Sequence, residues 1–406
     1  MSDLPDWSGA RRILCVRLDN MGDVLMTTPA MQALAESAPD RHIALLTSTP
    51  SALLAPHLPM VDEVIPWNAP WVRHDPAPSA ADVAHLLPAC ARALAARGFD
   101  AAVIFTVYSQ SALPAAMLCS LAGIPLRLAH CRENPYALLS DWVAETEPDT
   151  AGQRPRHEVR RQLDLVARVG AVIADTRMRF HVREADRQRL DDLLSHRQPP
   201  RGSGRGIVVH PGATAASRRW PSWRFAEVAR ELAMRTGGCV WITGSGSEAA
   251  LAEAVCADAM HPHVRTLAGK LSLGEMAALL ERSDLLVSNN SGPVHLAAAL
   301  GTPTVDLYAL TNPQHTPWQV PHRTLYADVP CRYCYKSTCP AGHHRCLREV
   351  TVADTVGAAM SLLDGEVPPP QELPWGAATR TVPLHPVAAP RPTLPMEEDP
   401  HVHTWH

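Results

Sequence analysis

Twice along the chain, short runs of aliphatic and β-branched residues alternate with longer helix-patterned stretches. That doubled alternation is the signature of parallel strands joined by covering helices. In the first half, Ile13–Leu18, His42–Thr47, Glu63–Pro66 and Ala101–Val107 read as strands. Asp23–Ser37, Ala80–Arg97, Ser111–Ala122 and His157–Val169 read as helices between and after them. The pattern breaks at Gln198–Gly206, whose sequence QPPRGSGRG has a linker's composition. It then restarts with strands at Gly206–His210, Cys239–Thr243, Val264–Ala268, Leu285–Ser288 and Thr304–Tyr308. Helices are expected at Trp223–Thr236, Glu248–Met260, Leu273–Arg282 and Pro293–Leu300. A chain of 406 residues accommodates two such units. The reading is therefore an α/β protein with a Rossmann-like domain over 1–197, a linker over 198–206 and a second Rossmann-like domain over 207–365. Residues 366–406, rich in proline and ending in His401, His403 and His406, lack the apolar surface needed to offset ordering entropy and are expected to be disordered.

Charge narrows the function classes. A formal net charge of −4 supplies no basic field of the kind that attracts nucleic acid. Met1–Arg12 is polar, without a basic segment followed by an apolar one, and no apolar run approaches the roughly 20 residues of a membrane span. A cytoplasmic protein is expected, with peripheral contact at an inner membrane left open.

Ligands of open α/β sheets bind at the carboxyl edges of the strands, so the loops there carry the functional reading. The first is Arg17-Leu18-Asp19-Asn20-Met21-Gly22-Asp23. It is either a tight strand-to-helix turn capped by Asp23 or a ligand loop in which Gly22 lets a substrate approach the backbone. The second domain offers three more. His210-Pro211-Gly212-Ala213-Thr214 leads into Arg218-Arg219-Trp220. Thr243-Gly244-Ser245-Gly246-Ser247-Glu248 matches G-x-G-x-x-A, but the next strand ends at Leu267-Ala268 without the acid that a dinucleotide ribose needs. That loop reads either as a backbone cradle with Glu248 near a ribose or sugar hydroxyl, or as a helix cap. The last is Asn290-Ser291-Gly292-Pro293-Val294-His295, a turn that opens a helix. Its free N–H groups and positive dipole end suit a diphosphate, and His295 lies one turn in. No Asp-x-Asp pair occurs, so the usual carboxylate holder of a divalent metal on a diphosphate is missing.

Taken together, these loops resemble glycosyltransferase family 9, the ADP-heptose:lipopolysaccharide heptosyltransferases. The run N-M-G-D-V-L-M-T-T-P resembles the family's opening motif, and S-N-N-S-G-P-V-H-L-A-A-A-L-G-T-P its N-D-[ST]-G-P-x-H-L-A-A-A-x-G-x-P pattern. The resemblance covers roughly residues 11–363. It implies the GT-B architecture, two Rossmann-like domains with parallel sheets facing an interdomain cleft. It also implies a metal-independent, inverting transfer from ADP-heptose to a lipopolysaccharide core or related glycan acceptor. Asp23 then corresponds to the base. Arg218 stands where the family usually has lysine, as the cation on the departing diphosphate. Gly22, Gly212, Thr214, Gly244, Glu248, Leu267, Ala268, Asn290, Ser291, Gly292, Pro293 and His295 fall at donor-site positions, with Leu267 and Ala268 against the base. Asn290 departs from the family's aspartate and loses a charge. Acceptor contacts are expected from Asn68–Asp82 and Leu126–Asp141, which carry Arg73, His74, Arg127, Arg132 and Tyr136.

Cys331, Cys334, Cys339 and Cys346 lie within the loop 331–346, with His343 and His344 between them. Four thiolates suit a closed, structural zinc or iron site. The same residues also read as reduced thiols in a cytosolic protein. Three rival functions stand beside heptosyl transfer: the same fold with another sugar nucleotide and a small-molecule or protein acceptor, an NAD-dependent oxidoreductase, weakened by the missing ribose acid and a first loop with a single glycine, and a non-catalytic scaffold that binds a nucleotide sugar or a metal.

Overall fold

The computed structural model describes residues 6–72, 79–147, 154–195 and 205–367, together with 369, 373 and 374. Most of the expected linker, nearly all of the expected tail, and Arg73 and His74 lie outside the described residues.

The first sheet contains β1 (Arg12–Arg17), β2 (His42–Thr47), β3 (Glu63–Pro66), β4 (Ala101–Ile104), β5 (Leu126–Cys131) and β6 (Asp141–Ala144). All its pairings are parallel and the strand order is β3-β2-β1-β4-β5-β6. The central strand shows why: five of its six residues, Ile13 to Arg17, are buried, as a strand covered on both faces requires. Helices α1 (Met21–Glu36), α2 (Ala80–Ala95), α3 (Leu113–Leu121), α4 (Glu158–Ala167) and α5 (Glu184–Ser195) accompany this half.

The second sheet repeats the plan. It is built from β7 (Gly206–His210), β8 (Cys239–Ile242), β9 (Val264–Thr266), β10 (Leu285–Asn289), β11 (Thr304–Leu307) and β12 (His322–Leu325). Its order, β12-β11-β10-β7-β8-β9, is again fully parallel. The helices are α6 (Ser222–Thr236), α7 (Ala249–Ala259), α8 (Leu273–Glu281), α9 (Gly292–Leu300), α10 (Arg345–Arg348) and α11 (Val352–Leu363).

Both sheets carry the doubly wound order, in which the chain reverses direction across the sheet between β1 and β4 in one domain and between β7 and β10 in the other. Crevices at such switch points are where ligands bind. Three of the four strands at the switches, β1, β7 and β10, lead into loops singled out from sequence. The two halves meet through α1 against α9, and α5, although it precedes β7, packs on α8. Arg187–Glu281 (2.7 Å) and Arg189–Glu275 (3.1 Å) line that contact. One apolar cluster is continuous across the junction, from Val24 and Leu25 of α1 to Val294 and Ala297 of α9.

Leu126–Asp141, expected as an acceptor loop, begins with strand β5 instead. Its arginines serve the local backbone. The Arg127 guanidinium donates to the carbonyls of Leu138 (2.7 Å) and Ala137 (2.8 Å), and Arg132 donates to Tyr108 O (3.1 Å). Two carbonyl-satisfying arginines leave Tyr136, which is exposed, as the accessible member of that segment.

Candidate active site

Arg17, the last residue of β1, is fully buried, and three carboxylates converge on it. Its Nη1 donates to Glu158 Oε1 at 2.9 Å, its Nε lies 3.0 Å from Asp19 Oδ2 and its Nη2 3.3 Å from Asp23 Oδ1. A buried guanidinium in a strand of aliphatic residues is costly unless paired; here the pairing is with Asp19 of the following loop, Asp23 of α1 and Glu158 of α4. Gln110, in the loop after β4, donates to Asp19 Oδ1 at 2.6 Å, so both sides of the switch point contribute.

Asp23 occupies the first turn of α1, and the Asn20 backbone N–H donates to its Oδ2 at 3.2 Å. Burial pushes the Asp23 carboxyl above the usual carboxylate range, against the pull of Arg17, with the negative charge of Glu158 adding to the rise. Glu158 behaves oppositely. Burial works against its charge, but Arg17 and Arg161 outweigh that and hold it down to about 2. The cluster therefore contains one firmly ionised carboxylate that anchors Arg17 and two, Asp19 and Asp23, that burial makes more basic. Asp23 shows 14% side-chain exposure and Asp19 11%, against none for Glu158, so solvent or substrate can reach the two aspartates, Asp23 slightly more openly, but not Glu158.

Across the cleft, α9 begins at Gly292 with Ser291 as its N-cap and Pro293 in its first turn. No side chain caps this end, and the Ser291 hydroxyl donates back to Asn289 O at 3.1 Å. Pro293 has no N–H and the Val294 N–H donates to Ser291 O at 3.0 Å, which leaves the Gly292 N–H open at the positive end of the dipole. Asn289, the last residue of β10, ties two further loops to this point. Its Nδ2 donates to Pro211 O (2.7 Å), and its Oδ1 accepts from Trp220 N (3.0 Å). Arg218 sits between those two anchors, half-buried, and its guanidinium has no hydrogen bond or ion pair among the described residues. Ser217 fixes its backbone by donating to Ser337 O (N–H, 2.9 Å) and Lys336 O (hydroxyl, 2.8 Å). Arg218 lies within electrostatic reach of Asp23 and works against the rise of its carboxyl.

The domains touch at Gly22. A Cβ there would lie 2.7 Å from Cδ2 of His295, so only glycine lets α1 and α9 approach this closely. His295 is buried, its Nδ1 has no partner among the described residues, and its ring meets His315 edge-on with centroids 6.4 Å apart. The loop after β11 completes the contact: Gln314 O accepts from Glu158 N (3.1 Å) and Thr316 O lies 2.8 Å from His157 Nε2.

The remaining expected residues divide. Gly212 lies under Glu248, where a Cβ would come within 2.1 Å of Oε1. Glu248 Oε2 accepts from the Ser245 N–H (2.8 Å) and hydroxyl (2.9 Å), so one oxygen caps the turn before α7 and the other faces Gly212. Gly244 packs against the Glu248 Cβ and Ala268, bringing these three together. Thr214 is exposed, and Leu267 is buried in the apolar cluster. Arg17, Asp19, Gln110, Glu158, Asn289 and His315 are site residues to which the sequence reading gave no role. A charged residue closing an apolar strand was the available signal for Arg17. Glu158 looked like any acid in the first turn of a helix.

The four cysteines line one cavity with His343 and His344. Cys331 Sγ lies 3.6 Å from His343 Nε2. Burial alone raises the Cys339 thiol, but backbone N–H groups of residues 341–344 overcome it and lower it below the ordinary cysteine range. Among the described residues no group of three or more His, Cys, Asp or Glu side chains is drawn in closely enough to hold a metal ion.

Compared with known proteins, residues 88–344 match the model of glycosyltransferase family 9 (heptosyltransferase). The chain belongs to glycosyltransferase family 9. Within that family it is 25% identical over 306 residues to lipopolysaccharide heptosyltransferase 3 of Escherichia coli, covering 73% of this chain and 83% of that one. It is 28% identical over 166 residues to lipooligosaccharide heptosyltransferase 2 of Campylobacter jejuni, covering 40% of this chain and about half, 52%, of that one. The solved structure of E. coli ADP-heptose lipopolysaccharide heptosyltransferase II superposes with a TM-score of 0.67 at 22% identity, covering 87% and 99% of the two chains. The GT-B fold expected from the motifs is thus borne out. Among the described residues no helix is long and apolar enough to cross a membrane.

Proposed function

We propose that this family 9 member is an inverting heptosyltransferase that moves heptose from ADP-heptose to a hydroxyl of a lipopolysaccharide core acceptor. The observation that carries the proposal is the placement of a raised-basicity carboxylate, Asp23, across the cleft from an unpaired cation, Arg218, and an uncapped helix N-terminus. The E. coli structure named for ADP-heptose and the heptosyltransferase relatives support the choice of donor and acceptor class.

In this reading the acceptor hydroxyl enters beside Asp23. Its oxygen attacks the anomeric carbon as its proton passes to the Asp23 carboxylate. The bond from that carbon to the diphosphate oxygen breaks on the opposite face, which inverts the configuration, and the electron pair leaves with ADP. Arg218, the Gly292 N–H and the positive end of the α9 dipole meet the growing charge on the diphosphate, a task in which fixed donors outperform water. Arg17, clamped by Glu158, keeps Asp23 aimed at the cleft. The contact of Gly22 with His295 brings base and leaving group to working distance and excludes water. A lipid-linked acceptor would bring the enzyme to a membrane surface.

Cys331, Cys334, Cys339 and Cys346 would hold a structural zinc or iron. Their shared cavity and the amide-stabilised thiol of Cys339 support this. A metal there would brace the loop that fixes Ser217, next to Arg218. Four thiolates would close its coordination sphere and leave no place for a substrate.

The test is a transfer assay with ADP-heptose and a heptose-deficient core acceptor, with the product linkage read by NMR. ADP release with inverted anomeric configuration supports the proposal. Transfer only from a UDP or GDP sugar, or with retained configuration, overturns it.

A further inference from the structure

Asp19 is the one carboxylate on Arg17 that the transfer reaction leaves without work. Its backbone anchors the loop after β1, since the Asp19 carbonyl accepts from the hydroxyls of Ser48 and Ser51, both at 3.0 Å. That task needs no carboxyl. Nor does Arg17 need one from Asp19, because Glu158 already meets its charge at 2.9 Å and Asp23 is a second partner at 3.3 Å. A third carboxylate adds excess negative charge where burial already pushes the Asp19 and Asp23 carboxyls up. A purely architectural cluster is better without it.

Nε and Nη2 are neighbouring corners on one edge of the planar guanidinium. Asp19 Oδ2 lies 3.0 Å from the first and Asp23 Oδ1 3.3 Å from the second. Both contacts are out of line for a hydrogen bond, and neither nitrogen makes one among the described residues. The other oxygen of each carboxyl is held by the protein: Asp19 Oδ1 accepts from Gln110 at 2.6 Å and Asp23 Oδ2 from the Asn20 N–H at 3.2 Å. Each aspartate is therefore fixed through one oxygen and presents the other, beside its neighbour's, without a hydrogen bond. Both side chains keep accessible surface, 11% and 14%. Two such oxygens side by side suit a ligand with hydroxyls on adjacent carbons, whose oxygens stand about 3 Å apart, the length of one hydrogen bond. A hydroxyl fits a carboxyl in either protonation state, because it donates to a carboxylate and accepts from a carboxylic acid.

We infer that Asp19 binds the acceptor, with its Oδ2 hydrogen-bonded to the hydroxyl on the carbon next to the one that attacks, while the attacking hydroxyl itself lies on Asp23. The acceptor sugar must then carry two neighbouring hydroxyls, and Asp19 decides which of them reaches the base. Gln110, from the loop after β4, sets the angle at which Asp19 meets it. This inference rests on the transfer reading above, with Asp23 as base.

The test is a double-mutant cycle between enzyme and acceptor. Transfer from ADP-heptose is followed as kcat/KM for the full chain as wild type, Asp19→Ala and Asp19→Asn. The acceptors are a heptose-deficient core and synthetic analogues of it, each lacking one hydroxyl next to the attacking one. Calorimetric affinity for ADP-heptose reports on fold and donor site in every variant, and Asp19→Asn keeps the shape of the side chain should alanine disturb the loop. With wild type, one analogue is expected to react about tenfold or more slowly than the full acceptor. Asp19→Ala is expected to slow the full acceptor by a similar factor and to show no further loss on that analogue, with Asp19→Asn between the two. ADP-heptose affinity should stay within about twofold throughout. Losses that multiply on every analogue, or a fall in donor affinity that matches the fall in transfer, overturn the inference and leave Asp19 a structural part of the cluster. A wild type that moves no heptose from ADP-heptose overturns the transfer reading itself, and the inference with it.

Discussion

Glu158→Gln separates the two jobs assigned to the buried cluster. The glutamine keeps the volume, but removes the charge that faces Arg17 Nη1 at 2.9 Å and accepts from Gln162 at 2.7 Å. A carboxyl lowered from 4.5 to about 2 on folding contributes about 3 kcal/mol. Breaking a buried ion pair from one side costs a similar amount, about 3–5 kcal/mol. Asp19 and Asp23 remain on Arg17, so the lower figure applies. In a chain of 406 residues that is about 4 °C in thermal midpoint at pH 7. The sign follows from the direction of the shift. A depressed folded pKa stabilises above about 4.5, and that stability drains as pH falls toward about 2. The wild-type advantage over Glu158→Gln should therefore shrink across that window. A second readout tests the link to catalysis. Glu158 is one of the charges that raise Asp23, so its removal should move the acid limb of the kcat/KM profile to lower pH. Scanning calorimetry and the pH–rate profile check both arms. A variant as stable as wild type, with an unmoved acid limb, would refute the reasoning.

Gly22→Ala places a Cβ 2.7 Å from His295 and should cost about tenfold in kcat with the fold retained, partly relieved by His295→Ala in the same chain; steady-state kinetics on both variants check it. Burial holds the imidazoles of His157 and His315 down to about 4. The unfolded chain takes up protons below about 6.5 where the fold does not, so stability should fall between pH 6.5 and 4, less steeply in His315→Asn, as followed by thermal unfolding. Arg218→Ala should lower kcat about a hundredfold and Arg218→Lys by less, because lysine keeps the charge and loses the planar fork; ADP-release kinetics distinguish them.

The strand-helix skeleton was legible because periodicity reports burial. His42–Thr47, Glu63–Pro66 and Gly206–His210 begin and end in the structure where their residue patterns do. β5 was not legible, since Arg127 and His130 interrupt its apolar run and their satisfaction by distant carbonyls is invisible along the sequence. β6 and α5 escaped for a similar reason: Asp141 is buried by accepting from Trp7, and Asp186 by pairing with Arg183 and Arg189. The cleft loops were found through local motifs, Gly22-Asp23 and Ser291-Gly292-Pro293. Their partners could not be, because Arg17 and Glu158 are 141 residues apart and Asn290, in the loop after β10, meets Asp306 of β11 only in the packed sheet. What the motif loops surround is set by the doubly wound order, and that order is a property of the packed sheets.

The most direct measurement is transfer of heptose by Asp23→Asn, beside calorimetric affinity for ADP-heptose. Loss of the base with the donor site intact predicts turnover lower by at least about a hundredfold and a donor Kd within about threefold of wild type. Full transfer activity with unchanged donor binding would contradict the assignment of Asp23 and, with it, the mechanism built on this cleft.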